Sequence, residues 1–452
     1  MRPIAGMITK LEAAALTGLA LLVVLWPIPK TVSPRDLLLL VSTVLFAILA
    51  RRSYRQMPVS WGRSAYPTVF LAALSVWMLI VAIVISKETA WSLDEIRSQW
   101  LKGLVAYALG LLVALSIVRR HFISRLVVVG VCAILLLHLL CVDVTGVFAW
   151  LQGVRGVRAA GLTDGPDKAS YLTNILFALL LAEVLLRWRR RGGLLGMSSP
   201  MLYAALAISV VSVIAESTRN GLVSLAVMVL VAALLHLRRD SIARRFSTMR
   251  AASMALALVF GVSLVFLAAD LRPGFGVRNV LDTVSIALDT DTNKAWLDSE
   301  HYSLPPLPTG EPIDKSAYLR IAWFKEGGKL VLEHPFGFGY GRNAFGHGLM
   351  AKYGEGKGHS HSGFLDLGIG VGIPGMLLWF GFLGSLIVAA RRELGGEDTG
   401  YALALILLVT DFSARMLVDG IIRDHMLQMF LFLAALLLGL LAYRVPVRPV
   451  QT

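Results

Sequence analysis

The sequence predicts an all-α polytopic membrane protein of about twelve transmembrane helices, with a large external loop between the ninth and tenth. Three observations carry that prediction. Apolar residues make up 56% of the 452 residues and charged residues 16%, against about 25% charged in a soluble domain, and the mean hydropathy is +0.71. Apolar runs of about 20 residues, the length that crosses the hydrocarbon core of a bilayer, recur along the chain. Between them, Lys and Arg gather in alternate loops, as expected of a multi-pass protein oriented by its positive charge.

The runs fall at 11–28, 36–50, 64–86, 100–118, 122–142, 169–187, 201–216, 219–237, 251–270, 363–390, 400–417 and 425–443. The first follows Arg2 and Lys10 and resembles a signal peptide in outline. It ends in Trp26-Pro27-Ile28-Pro29-Lys30 without a small-x-small cleavage site, so it is expected to stay as an anchor. An even number of spans places both termini on one side. On that side the stretches 51–63, 119–125, 187–191, 238–250, 391–392 and 444–448, with Arg2 and Lys10, hold 22 of the 43 basic residues, and only Glu12, Glu183, Asp240, Glu393, Glu397 and Asp398, 6 of the 29 acidic ones, accompany them on that face. The opposite side holds 21 basic and 23 acidic residues. The net charge of +14 thus reports orientation, with the basic face cytoplasmic, and a nucleic-acid footprint is excluded. Cys132 and Cys141 both fall in the fifth run. About 13 Å of helix separates them, too far for a disulfide, and they read as packing residues.

The chain divides into 1–270 (spans one to nine), 271–362 (external domain with short surface helices) and 363–452 (spans ten to twelve). External length is concentrated in 143–168 and 271–362, and a loop as long as the second is usually functional. It carries ten basic and ten acidic residues. Arg272 to Pro312 is rich in Asp, Thr and Pro and reads as irregular. Asp314 or Ser316 then caps a helix near 317–333, whose Tyr318, Ile321, Trp323, Phe324 and Leu330 are expected at the membrane surface. Glycine-rich turns follow over His334 to Arg342 and Gly354 to Gly363.

The stretch Gly358-His359-Ser360-His361-Ser362-Gly363-Phe364-Leu365-Asp366-Leu367 precedes the tenth span. A histidine at the mouth of a membrane helix can take a proton from an attacking hydroxyl near neutral pH. An interfacial histidine that only satisfies hydrogen bonds is the plainer reading. A metal pair is the third, without a third ligand at suitable spacing. Arg219, Arg320, Arg155 and Arg158 lie near span ends on the same external side. Arginine's planar fork suits a phosphate, and ionisable groups at the membrane edge are functional by default. Snorkelling is the alternative, which fits Lys87 and Lys102 better. Asp411 either orients a histidine or forms a simple i,i+4 pair with Arg415. Asp289-Thr290-Asp291 reads as solvated loop. No G-x-G-x-x-G follows a strand and no Walker A sequence occurs, which removes ATP-driven transport by this chain alone.

Together these residues resemble the O-antigen ligase and polymerase superfamily. His361-Ser362-Gly363-Phe364-Leu365 with Gly370-x-Gly372-Ile373-Pro374-Gly375 is similar to its histidine-(Asn)-x-aromatic-Leu…Gly-x-x-Gly signature. Arg320 through His334-Pro335-Phe336-Gly337-Phe338-Gly339 resembles its Arg…His-Pro-x-x-Gly-x-Gly segment. Ser217-Thr218-Arg219-Asn220-Gly221 resembles its Ser-Arg-Gly element, and Arg158 to Tyr171 an Arg…Gly…Pro-Asn element. Ser362 stands where Asn is usual, and Asp167-Lys168 where Pro-Asn is usual. The resemblance implies a GT-C-like glycosyltransferase of the bacterial inner membrane, cytoplasmic at both termini, with its active site facing the periplasm. The donor would be O-antigen linked to undecaprenyl diphosphate, the acceptor lipid A–core, and no cofactor or metal would take part. His361 would be the catalytic base of an inverting transfer. Arg219, Arg320 and Arg158 would bind the diphosphate, supported by His359, Asp411, Arg155 and Arg342. An O-antigen polymerase or protein O-oligosaccharyltransferase would use the same residues. A secondary transporter is the rival of another class, but the halves of the chain do not match and the polar candidates gather at one edge.

Overall fold

The computed structural model describes residues 8–56, 62–118, 120–154, 157–189, 193–243, 277–356 and 358–443. Its regular structure there is helical: α1 (Lys10–Leu25), α2 (Val32–Gln56), α3 (Tyr66–Ile80), α4 (Thr89–Glu95), α5 (Leu101–Ile117), α6 (His121–Leu151), α7 (Pro166–Trp188), α8 (Ser199–Glu216), α9 (Arg219–Ala243), α10 (Val277–Leu288), α11 (Lys315–Glu333), α12 (Ala344–Tyr353), α13 (Gly363–Arg392), α14 (Thr399–Val418) and α15 (Asp424–Ala442). Among the described residues, ten helical stretches are long and apolar enough to cross a membrane. They coincide with ten of the twelve apolar runs. The first run forms α1, of only 16 residues, and the run at 251–270 lies outside the described residues.

Local chemistry sets the boundaries. Thr9 and Glu12 form a reciprocal capping box at the start of α1, with bonds of 2.8 and 3.2 Å. Single π-helical turns, Val81–Ile85 and Ile96–Trp100, end α3 and join α4 to α5. Within the bundle, α15 and α7 are the inner helices, buried over 94% and 89% of their apolar windows, whereas α2 is buried over 22%. α15 packs on α5 through a seam of small residues. A Cβ on Gly110 would fall on the Phe432 carbonyl oxygen, and one on Gly439 would lie 2.5 Å from the Ala114 methyl. Close backbone approach of this kind takes the place of the hydrophobic drive that lipid cannot supply.

Residues 277–356 depart from expectation in two ways. Part of Arg272–Pro312 is helical: α10 repeats Val277, Val280, Leu281, Val284 and Leu288 at helical spacing, which outweighs the surrounding Asp and Thr. The apolar face of α11 is also spent differently. Tyr318 and Leu330 are fully buried in a core with Trp296, Phe345 and Leu349, which Ile369 of α13 completes. This packing covers Tyr318 and Leu330, so these two side chains do not lie against the membrane. Thr290, central in Asp289-Thr290-Asp291, is part of that scaffold: its hydroxyl donates to Glu326 at 2.7 Å and its carbonyl accepts from Trp296 at 2.9 Å.

The two glycine-rich motifs meet. α13 breaks at Gly372 (φ 68°), freeing backbone groups on either side. Phe338 and Gly339 donate their amides to the carbonyls of Ile369 (2.8 Å) and Gly370 (3.0 Å), and Ile373 donates to Pro335 (2.8 Å). The Trp77 indole adds a bond to the Val371 carbonyl at 2.7 Å. The loop His334–Gly339 is thus laid backbone to backbone across the kink, and a Cβ on Gly337 would stand 2.7 Å from the Gly370 oxygen.

Candidate active site

The turn entering α13 sets two imidazoles side by side. Asp366, one turn into the helix, accepts from the Ser360 amide at 2.9 Å and hydroxyl at 2.7 Å. That pins Ser360 inward, and its neighbours His359 and His361 share the other side, with ring centroids 4.2 Å apart. His361 adopts a left-handed backbone, φ 54°, which costs a residue with a Cβ about 1–2 kcal/mol. Ser362 caps α13, its hydroxyl accepting from the Leu365 amide at 3.5 Å. Serine and asparagine are equally good caps, so Ser362 keeps the local role of the asparagine usual there.

α11 forms the second wall. Trp323 stacks on His361 with centroids 5.4 Å apart and planes at 11°, and its indole N–H donates to the Trp296 carbonyl at 2.7 Å. One turn earlier, Arg320 donates to the Asn220 side-chain oxygen at 2.8 Å. Arg219 pairs with Asp314 at 2.9 Å, the carboxylate that caps α11 by accepting from Ser316 and Ala317. The left-handed Ser217 (φ 48°) ends α8 so abruptly that α9 starts two residues later. Arg219-Asn220 can therefore grip α11 at its cap and again at Arg320.

The connection from α14 to α15 is the third wall. Buried Arg415 donates to Asp419 (3.2 Å), to Ser170 (2.9 Å) and to the Asp167 carbonyl (3.0 Å). The Asp419 carbonyl in turn accepts from the Gly363 amide at 3.0 Å. Arg423 places a guanidinium nitrogen 3.1 Å from His359 Nε2.

The structure brings His361, His359 and Arg320 together and ties Arg219 to them through Asn220 and α11. Arg158 stands at the edge, on Asp167 at 3.2 Å. Asp411 is elsewhere: fully buried in the bundle, it accepts from Ser224 and, at 3.0 Å, from Asn174. The expected i,i+4 pair of Asp411 with Arg415 gives way to Arg415–Asp419, because the guanidinium points toward the C-terminal end of α14 and the start of α7. Arg342 is held bidentately by Glu95, with contacts of 2.9 and 3.0 Å, and lines a small cavity with Asp366 and Arg423. Arg155 lies outside the described residues. Sequence reasoning missed Arg423, although the signal used for Arg219, an arginine in a short external connection, was present in Ile421-Ile422-Arg423-Asp424. It also missed Trp323 as a wall of the site.

Burial, and next the Arg320 cation, hold the His361 imidazole below its ordinary 6.5, with Asp419 pulling it partly back. His359 is pushed down to about 3 by burial and by Arg423. Both rings are neutral near pH 7, and His361 makes no hydrogen bond to protein among the described residues. A neutral imidazole beside fixed guanidinium groups can accept a proton while the cations attract an anion. If the neutral ring is the active form, kcat/KM should stay flat as pH falls through 6.5 and drop only below the lowered pKa. Arg320→Gln, which removes a depressing charge, should move that acidic limb upward. A wild-type limb at or above the ordinary histidine range in a pH–rate profile would contradict this.

The walls define a class: a multi-pass membrane protein with a histidine–arginine site at one end of its helix bundle, walled on one side by α11. Residues 204–380 match the family model described as O-antigen ligase. Members of that family are glycosyltransferase-like ligases and polymerases. No curated protein matches the chain. The matched segment includes Arg219, Arg320, His359, His361 and the paired glycine motifs, and it stops before Arg423.

Proposed function

We propose that the protein is an O-antigen ligase: it transfers a glycan from undecaprenyl diphosphate to a sugar hydroxyl of lipid A–core at the periplasmic face of the bacterial inner membrane. The observation that carries this reading is the neutral His361 ring, wedged between Trp323 and His359, with Arg320 beside it on the end of the bundle away from the basic loops. As the acceptor oxygen bonds to the anomeric carbon, His361 takes its proton. The bond to the diphosphate oxygen breaks on the opposite side of that carbon, inverting it. Undecaprenyl diphosphate leaves with the electron pair, and Arg219 and Arg320 offset the charge that develops on it. Arg158, at the outer edge, meets the same anion. The donor's own diphosphate is the leaving group, so the step needs no nucleotide. Two lipid-anchored substrates held on one surface also lose less entropy in meeting. The external domain covers the site and is placed to receive the acceptor glycan.

Purified full-length protein mixed with undecaprenyl-diphosphate glycan and lipid A–core in EDTA is expected to glycosylate the lipid. Chain extension of the donor, or transfer to protein hydroxyls, with none to lipid A–core would overturn the ligase reading. Activity lost in EDTA and restored by a divalent metal would overturn the metal-independent mechanism.

A further inference from the structure

Arg423 lies on the last external connection, about 60 residues beyond the histidine pair in sequence, and no role attaches to it so far. We propose that Arg423 is a positioning residue: acting through His359, it fixes the ring of His361 in the orientation that accepts the proton. The inference rests on the reading of His361 as base.

A guanidinium has only donors. The His359 Nε2 that faces Arg423 at 3.1 Å therefore accepts, which places the His359 proton on Nδ1 and leaves the ring neutral. The titratable and charged groups around that ring are Arg423, His361 and Arg320, with Asp366 beyond Gly420. All but Asp366 disfavour a charge on His359, and the depressed pKa agrees. A neutral His359 neither competes with His361 for the proton nor repels the imidazolium that forms there. With Trp323 on its other face, His361 then has a single ring orientation.

The fit is tight as well as charged. A Cβ on Gly420 would stand 3.1 Å from His359 Cδ2 and 3.3 Å from the Asp366 carboxylate. The connection that carries both Gly420 and Arg423 is itself fixed. Asp419 is bonded to Gly363 and Arg415, Ile421 and Ile422 are buried, and the Asp424 amide donates to the Gln99 side-chain oxygen at 2.8 Å. Arg423 is thus presented to His359 from a rigid support, as orientation of a catalytic group requires.

Steady-state transfer to lipid A–core by the full-length protein tests the idea. Arg423→Gln is expected to lower kcat about 10–100-fold, the scale of a misplaced catalytic group, with donor KM within about twofold. Gly420→Ala, which pushes on the same ring without changing any charge, should lower kcat in the same way. Arg423→Lys, which can still donate to Nε2, should recover part of the loss. Adding Arg423→Gln to His359→Ala should cost little more than His359→Ala alone. A raised donor KM at unchanged kcat in Arg423→Gln would make Arg423 a diphosphate ligand and overturn positioning. So would wild-type kcat in both Arg423→Gln and Gly420→Ala. Should Gly420→Ala fail to fold, Arg423→Gln and the double variant still decide. If His361→Ala is inactive while these variants match wild type, only this inference falls. If His361→Ala retains full activity, the reading beneath it falls.

Discussion

His361→Ala is expected to lower glycan transfer about 10²–10⁴-fold, the usual worth of a positioned general base, while leaving the fold intact. The ring makes no hydrogen bond to protein among the described residues, and its contacts are the faces of Trp323 and His359. Truncation therefore removes little packing. It also leaves the left-handed backbone at residue 361, which alanine tolerates no better than histidine, so no strain is relieved or added. Donor binding should persist, because Arg219 and Arg320 are untouched. The measurement is kcat against donor KM in reconstituted vesicles, with thermal unfolding as the control. A variant with normal kcat would show that the proton goes elsewhere. One with normal kcat and a raised donor KM would make His361 a substrate ligand.

Gly372→Val is expected to be the most damaging single change to stability, about 2–6 kcal/mol, from backbone strain and overpacking combined. Gly372 sits at φ 68°, and a Cβ there would fall on the Pro335 oxygen and the Phe336 carbonyl carbon. Neither is a side-chain end that can swing aside. The loop His334–Gly339 would have to lift off α13, breaking its bonds to Ile369 and Gly370. Thermal unfolding in detergent should shift down sharply, with most expressed protein aggregated. Gly384→Val, twelve residues along the same helix in open surroundings, is the matched control. A Gly372→Val protein as stable as that control would refute the account.

Apolar length made ten of the helical runs legible in the sequence, because the thickness of a bilayer sets it. The pairing of the two glycine motifs was not legible. Each glycine answers a backbone from the other segment, and periodicity within one segment carries no trace of that. His361, Arg219 and Arg320 were recognisable from their residue types and shared side. Asp411 shows the weakness of the same reasoning: it lies near a span end, yet its carboxylate turns inward to Ser224 and Asn174. Trp323 and Tyr318 read alike in sequence, as apolar residues on one amphipathic helix. Only the packing of the external domain sends one to its core and the other to the imidazole.

The seam between α5 and α15 has a consequence for how the molecule is made. Gln99 and Asp424, bonded across its external end, are 325 residues apart. At about 5–20 residues per second, α5 waits roughly 15–65 s in the bilayer before its partner leaves the ribosome. Through that interval the Gly110 face of α5 lacks its native partner, and the site lacks its third wall. α15 and the connection before it therefore both lock the bundle and deliver Arg423, so a nascent chain that has not reached them holds His361, Arg219 and Arg320 without the guanidinium that faces His359.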